Sequence, residues 1–285
     1  MKVNKMGHKS SKPNVKELKK KRDIKGLIDA ASGWHGSLEA VEALGEIGDN
    51  AAVPALIDRL GKCSTDAIPV VAKALLRIGD ETVVPTLLDH LKSGDKSMRY
   101  RAALALGVIG DQRGFQLLMT SLLKDKYEVV RSSAAEALGE FGDERAVPAL
   151  AKALRDKEEN VRWDAAKALG KIGEAAVPAL IEVLKDRKWE VRHDASQILV
   201  NRLIWDGEHW RGEYSPVNLA KIAGKAAVPT LIKVLRDEQW TVRVNAAKIL
   251  GEIGDKDAIP ALTKAMKDPD TGQAAKEALQ KIRKG

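Results

Sequence analysis

Chemistry in a protein needs titratable or nucleophilic groups within reach of one another, and this chain supplies few. It holds five histidines, His8, His35, His90, His193 and His209. No two stand three or four residues apart, the spacing that sets two metal ligands on one helix face. His193–Asp194 sets an imidazole beside a carboxylate, a pair that acid–base or metal chemistry could use. Cys63 is the single cysteine, so no disulfide forms within the chain. It lies in GKCSTDAIP, a loop between helices, where a structural thiol is the reading over a nucleophile. No glycine-rich phosphate loop, P-loop or G-x-S-x-G elbow occurs. These residues predict no catalytic group, no metal and no cofactor. What remains is aromatic. Trp163 stands alone in a polar stretch, and Trp205, His209, Trp210 and Tyr214 fall within ten residues.

The elements that carry these residues follow from one recurring phrase. Its clearest copy is AVPALAKALRDKEENVRWDAAKALGKIG, residues 146–173, and prolines 54, 85, 148, 178, 229 and 260 mark its other starts. Arginines 99, 131, 162, 192 and 243 mark its second half, at steps of 32, 31, 30 and 51. A period near 31 with one 20-residue excess is a repeat array carrying one insertion, at about 200–223. Each unit reads as two helices. Val177, Leu180, Ile181 and Leu184 form the apolar stripe of a first helix, with proline in its opening turn, where a missing N–H costs little. Val161, Ala165, Leu169 and Ile172 form that of a second helix. Ala166 and Gly170 are small enough for close helix approach, and a Gly-Asp pair such as Gly142–Asp143 ends one unit and caps the next helix. After Arg192 the helix reads on as HDASQILVNRLIW, without its Gly-Asp stop, and PVNLAKIAG re-enters the pattern.

The chain is 44% hydrophobic and 4% aromatic, rich in alanine and leucine, which favours helix over sheet. No apolar run approaches the roughly 20 residues that span a bilayer. The net charge of +8 belongs to one end. Residues 1–25 carry ten basic and two acidic residues, leaving 48 − 10 = 38 basic and 40 − 2 = 38 acidic residues in the rest. The body is therefore not predicted to bind polyanions. Residues 1–22 read as a basic, flexible tail able to touch nucleic acid weakly, residues 23–285 as a single helical array, and the location as cytoplasmic.

GDERAVPALAKALRDKEENVRWDAAKALGKIG resembles the HEAT-like repeats of the phycobilisome-lyase type, over about 250 of the 285 residues. The resemblance implies an all-α fold: a right-handed α-solenoid of about eight two-helix repeats, with the insertion in the sixth. It also implies that the second helices line a concave, partner-facing surface. The variable positions of those helices are then the candidate site. They are Tyr100, Arg101 and Leu104; Ser132, Ser133 and Glu136; Trp163, Asp164, Lys167 and Lys171; His193, Asp194 and Gln197; and Asn245 and Lys248. Trp163 and Tyr100 are its aromatic anchors. A HEAT-like hydroxylase family holds two irons with paired His-Glu motifs, and this chain has no His-Glu dipeptide. The repeated arginines, each preceded by an Asp in the turn, predict an ion-pair ladder between units in preference to a phosphate site. Trp189 and Trp240, three residues before their arginines, predict packing between repeats.

The function expected is a non-catalytic scaffold that grips another protein through this helix face and the aromatic insertion. A phycobilin-lyase-like, chromophore-handling accessory role is the alternative by resemblance, and nucleic-acid binding by the folded body a weaker one.

Overall fold

The computed structural model describes residues 14–33, 36–200, 204–205, 210–211 and 217–284, with 204–205, 210–211 and 217–223 described by their backbone alone. Packing divides the chain into two compact units, Met1–Gly114 and Phe115–Gly285.

In the first unit a short helix, α1 (Val15–Lys21), precedes three helix pairs: α2 (Ile24–Ala31) with α3 (Leu38–Ile47), α4 (Val53–Lys62) with α5 (Ile68–Ile78), and α6 (Val83–Ser93) with α7 (Lys96–Ile109). The second unit holds five more pairs. They are α8 (Phe115–Lys124) with α9 (Glu128–Phe141), α10 (Val147–Ala153) with α11 (Glu159–Ile172), α12 (Val177–Val183) with α13 (Trp189–Val200), α14 (Val217–Val234) with α15 (Trp240–Ile253), and α16 (Ile259–Ala265) with α17 (Gly272–Lys284). Eight pairs meet the repeat count read from the sequence.

The repeat phrase sets each boundary. Gly142 ends α9 at φ 63°, a left-handed conformation that only glycine adopts without steric cost. Asp143 then accepts a hydrogen bond from the Arg145 backbone N–H, which starts a single 3-10 turn over Glu144–Ala146. The sequence predicts that this Asp caps the next α-helix directly; the 3-10 turn stands between them. Pro148 follows in the first turn of α10. Leu138, Leu150 and Leu169 are fully buried where the helices meet. Each contributes about 1.5–3 kcal/mol over exposure to water.

Three local readings change. Val15–Lys21, counted with the tail, is helix: Asn14 caps it, Val15 is buried, and Lys19 pairs with Glu46 of α3. The helix after Arg192 ends at Val200, well before Trp205. Two-residue strands, β1 (Ile204–Trp205) and β2 (Trp210–Arg211), pair antiparallel, with Trp205 opposite Trp210. Ile and Trp prefer this extended backbone. Gly224, at φ 55°, breaks α14 between the inserted segment and the regular first helix led by Pro229. No helix among the described residues is long and apolar enough to cross a membrane.

Candidate functional site

The site is best built from the seams between successive second helices of the second unit. At the α9–α11 seam the ladder forms as expected. Arg131 donates from Nη1 to the Asp125 carbonyl of its own turn at 2.9 Å. Its Nε and Nη2 both bond the Asp156 carboxylate of the next repeat, each at 2.8 Å. Both side chains are largely buried, at 7% and 14% exposed, so this pair is no loose surface contact. Burial raises the Asp156 carboxyl, but Arg131 and the Glu158 backbone N–H outweigh it and hold the group below its usual range. Further along, a Cβ on Gly139 would stand 2.9 Å from Ala168 Cα, so only glycine lets these helices approach so closely.

The α13–α15 and α15–α17 seams carry arginine rungs of the same kind. Arg192 bonds the Asp186 carbonyl and, through Nε and Nη2, the Asp237 carboxylate at 2.5 and 2.9 Å. Asn245, buried, donates to Ser196 Oγ at 3.0 Å. Arg243 reaches Asp268 at 3.3 Å and Asp270 at 3.0 Å, and a Cβ on Gly251 would meet Ala278 Cα at 2.7 Å.

The α11–α13 seam does not close. Arg162 makes the backbone half of its rung, to the Asp156 carbonyl at 3.0 Å. The carboxylate half is missing, because Asp186 is bound instead by Arg155 Nε at 2.5 Å. Arg162 Nε, shut off from solvent, has no hydrogen-bond acceptor among the described residues, and Asp194 Oδ2 stands 4.0 Å from it. A Cβ on Gly170 would meet nothing within 4 Å, against the close approach the sequence predicts there. At the phase of Ala168, six after the arginine, α13 carries Ile198.

The gap is a groove of about 750 Å³. Arg162, Trp163, Ala166 and Lys167 of α11 line one side and Trp189, His193, Asp194, Gln197 and Ile198 of α13 the other, and the groove runs on to Gln239 and Thr241 at the start of α15. Trp163 is 51% exposed and Trp189 39%, a large apolar area to leave in water. The Trp189 and His193 rings meet edge to face at 6.3 Å. His193 Nδ1 lies 3.4 Å from Asp194 Oδ1, so Asp194 sits between the imidazole and Arg162.

Of the residues read from the sequence, Trp163, Lys167, His193, Asp194 and Gln197 come together here. Ser132, Glu136, Asp164 and Lys171 form a charged cluster beside it on α9 and α11. Ser132 donates to Asp164, and Lys171 to Glu140. Burial raises both the Asp164 and the Glu136 carboxyl, against the pull of Lys167 and Lys171. Arg101, Ser133 and Asn245 are buried, at 5–6% exposed, and so are withdrawn from the partner face. Arg101 binds the Cys63 carbonyl at 2.9 Å. Tyr100 and Leu104 lie partly exposed on α7 of the first unit, and Lys248 is exposed on α15. The side chains of Trp205, His209, Trp210 and Tyr214 lie outside the described residues. Trp189 and Trp240, expected to pack between repeats, are exposed instead, Trp240 at 54%. The sequence reading missed Arg162 and Ile198 as groove residues. Cys63 is fully buried, which pushes its thiol up and away from the reactive thiolate. Among the described residues no group of three or more His, Cys, Asp or Glu is placed to hold a metal.

Comparison with known proteins agrees with this architecture. Residues 69–139, 122–199 and 218–283 match the family of HEAT repeats, and residues 38–62 the PBS lyase HEAT-like repeat. No curated protein matches the chain. Among solved structures, importin beta is similar at a TM-score of 0.57 and 17% identity, covering 94% of this chain and 42% of that one. The archaeal HEAT-like repeats protein of Thermococcus onnurineus NA1 is similar at 0.51 and 15%, covering 81% and 97%. Human deoxyhypusine hydroxylase aligns over 95% of this chain and 99% of its own at 21% identity, but its TM-score of 0.37 carries no argument. At these identities the likeness is one of fold, and with family matches over most of its length the chain belongs to the HEAT-repeat proteins.

Proposed function

We propose that the protein is a non-catalytic, protein-binding scaffold whose partner docks in the groove between α11 and α13. The observation that supports this reading is the pair of exposed indoles, Trp163 and Trp189, on the walls of the groove of about 750 Å³. Large aromatic rings in a concave setting supply most of the energy of many protein interfaces. HEAT-like repeats commonly serve as interaction scaffolds. The insertion, with Trp205, His209, Trp210 and Tyr214, is the proposed second contact.

The test is partner capture from an extract of the source cells by the full chain. Wild type is expected to retain a protein that Trp163→Ala loses, with a fall in affinity of about thirtyfold or more, as for an interface hot spot. Deletion of 206–214 weakens the same capture. Both variants keep the helical circular-dichroism signal. Capture unchanged in both variants would place the docking surface elsewhere.

A further inference from the structure

We propose that the docked partner presents an arginine side chain, seated between the Trp163 and Trp189 indoles beside the carboxylates of Glu159 and Glu190. The inference rests on the docking reading above and names the chemistry of the guest. Its first support is the charge of the groove. Three acids, Glu159, Glu190 and Asp194, line it against two cations, Arg162 and Lys167. Both cations are already answered. Arg162 donates from Nη1 to the Asp156 and Lys157 carbonyls at 3.0 and 3.2 Å, keeps its Nε shut off from solvent, and has Asp194 at 4.0 Å. Lys167 acts on the Glu136 and Asp164 carboxylates, which lie outside the lining. Glu159 and Glu190 have no ion-paired cation among the described residues. Two uncompensated carboxylates beside an apolar wall attract a cation and repel an anion.

The second support is where the acids stand. Glu159 and Trp163 are one turn apart on α11, and Trp189 and Glu190 open α13. Glu159 and Trp189 hold one phase of the repeat, three residues before Arg162 and Arg192. Both acids and both indoles therefore fall toward the helix starts, while Lys167 lies a turn beyond Trp163. Trp163 is 51% exposed and Trp189 39%, so indole surface is open to a guest. A guanidinium is planar. It stacks on an indole and still donates to carboxylates at its edge, which a lysine ammonium does less well. A neutral side chain would use the indoles and leave both carboxylates unpaired. Each acid stands in the first turn of its helix, where it also steadies the helix start, so thermal unfolding is followed beside binding.

A random dodecapeptide library displayed against the immobilised full chain tests this. Wild type is expected to enrich peptides with an arginine beside apolar residues. Replacing that arginine by citrulline, its neutral isostere, weakens binding at least about tenfold, and replacing it by lysine weakens it less. The double variant Glu159→Gln, Glu190→Gln weakens the arginine peptide by a similar factor, leaves the citrulline peptide unchanged, and still unfolds cooperatively close to the wild-type temperature. Trp163→Leu, which keeps an apolar wall without the aromatic face, also binds the arginine peptide more weakly. Enrichment of Asp or Glu peptides, or equal binding of the arginine and citrulline peptides, overturns the arginine assignment. Binding lost in Trp163→Ala but intact in the double variant does so too, while leaving the docking surface in place. No enrichment, or binding indifferent to Trp163→Ala and to the double variant alike, removes the docking surface and this inference together.

Discussion

The α9–α11 and α11–α13 seams are written with nearly the same phrase and differ in what they hold. At the first, Arg131 closes on Asp156, and Gly139 lets Ala168 approach. At the second, Asp186 is diverted to Arg155, and a Cβ on Gly170 would meet nothing within 4 Å. A groove therefore lies between two helices of the repeat pattern itself. Each repeat touches only its neighbours, so a local change stays local.

The largest expected effect breaks the comparison at the arginines. Arg131→Met leaves Asp156 buried without its partner and is expected to cost about 3 kcal/mol in urea unfolding. Arg162→Met removes only a contact to backbone carbonyls and is expected to cost about 1 kcal/mol or less. Equal losses would mean that the rung at Arg162 is closed in solution.

A smaller effect separates two kinds of carboxylate by pH. Asp156 has its folded-state pKa lowered, so its stabilisation is present above the unfolded value and is lost as pH falls through the folded one. Asp164 has its folded-state pKa raised by burial, the opposite case. Its favourable contribution exists below the unfolded value and is lost as pH rises through the folded one, so the ionised form is a liability near pH 7. Asp164→Asn is expected to raise Tm near pH 7 and to leave it unchanged near pH 3, where the acid is already neutral. A Tm gain that persisted near pH 3 would mean that packing, not charge, was relieved.

Much of this was legible in the sequence, because repetition exposes periodicity. The prolines, the Gly-Asp stops and the arginine phase point to about eight helix pairs and to the ladder. The errors fall at particular phases. Arg101, Ser133 and Asn245 all stand two residues after their arginines, and so do Asp164 and Asp194. That phase turns 100° from Trp163, and its side chain is buried at Arg101, Ser133 and Asn245 but lines the groove at Asp194. Arg155 was illegible for another reason. Lys124, Lys185, Arg236 and Lys267 hold the same place, and no rule of sequence says which of these cations reaches across to take an aspartate.

The smallest effect is the most direct, because its sign differs between the two seams. Unfolding free energies of Gly139→Ala and Gly170→Ala, measured side by side, test whether one seam is closed and the other open. At Gly139 the added methyl meets Ala168 backbone, and a loss of about 1 kcal/mol is expected. At Gly170 nothing opposes it, and the better helix propensity of alanine gives a gain of about 0.5–1 kcal/mol. Two losses of equal size would show α13 packed against α11 as tightly as α11 against α9, and the groove with its proposed guest would be gone.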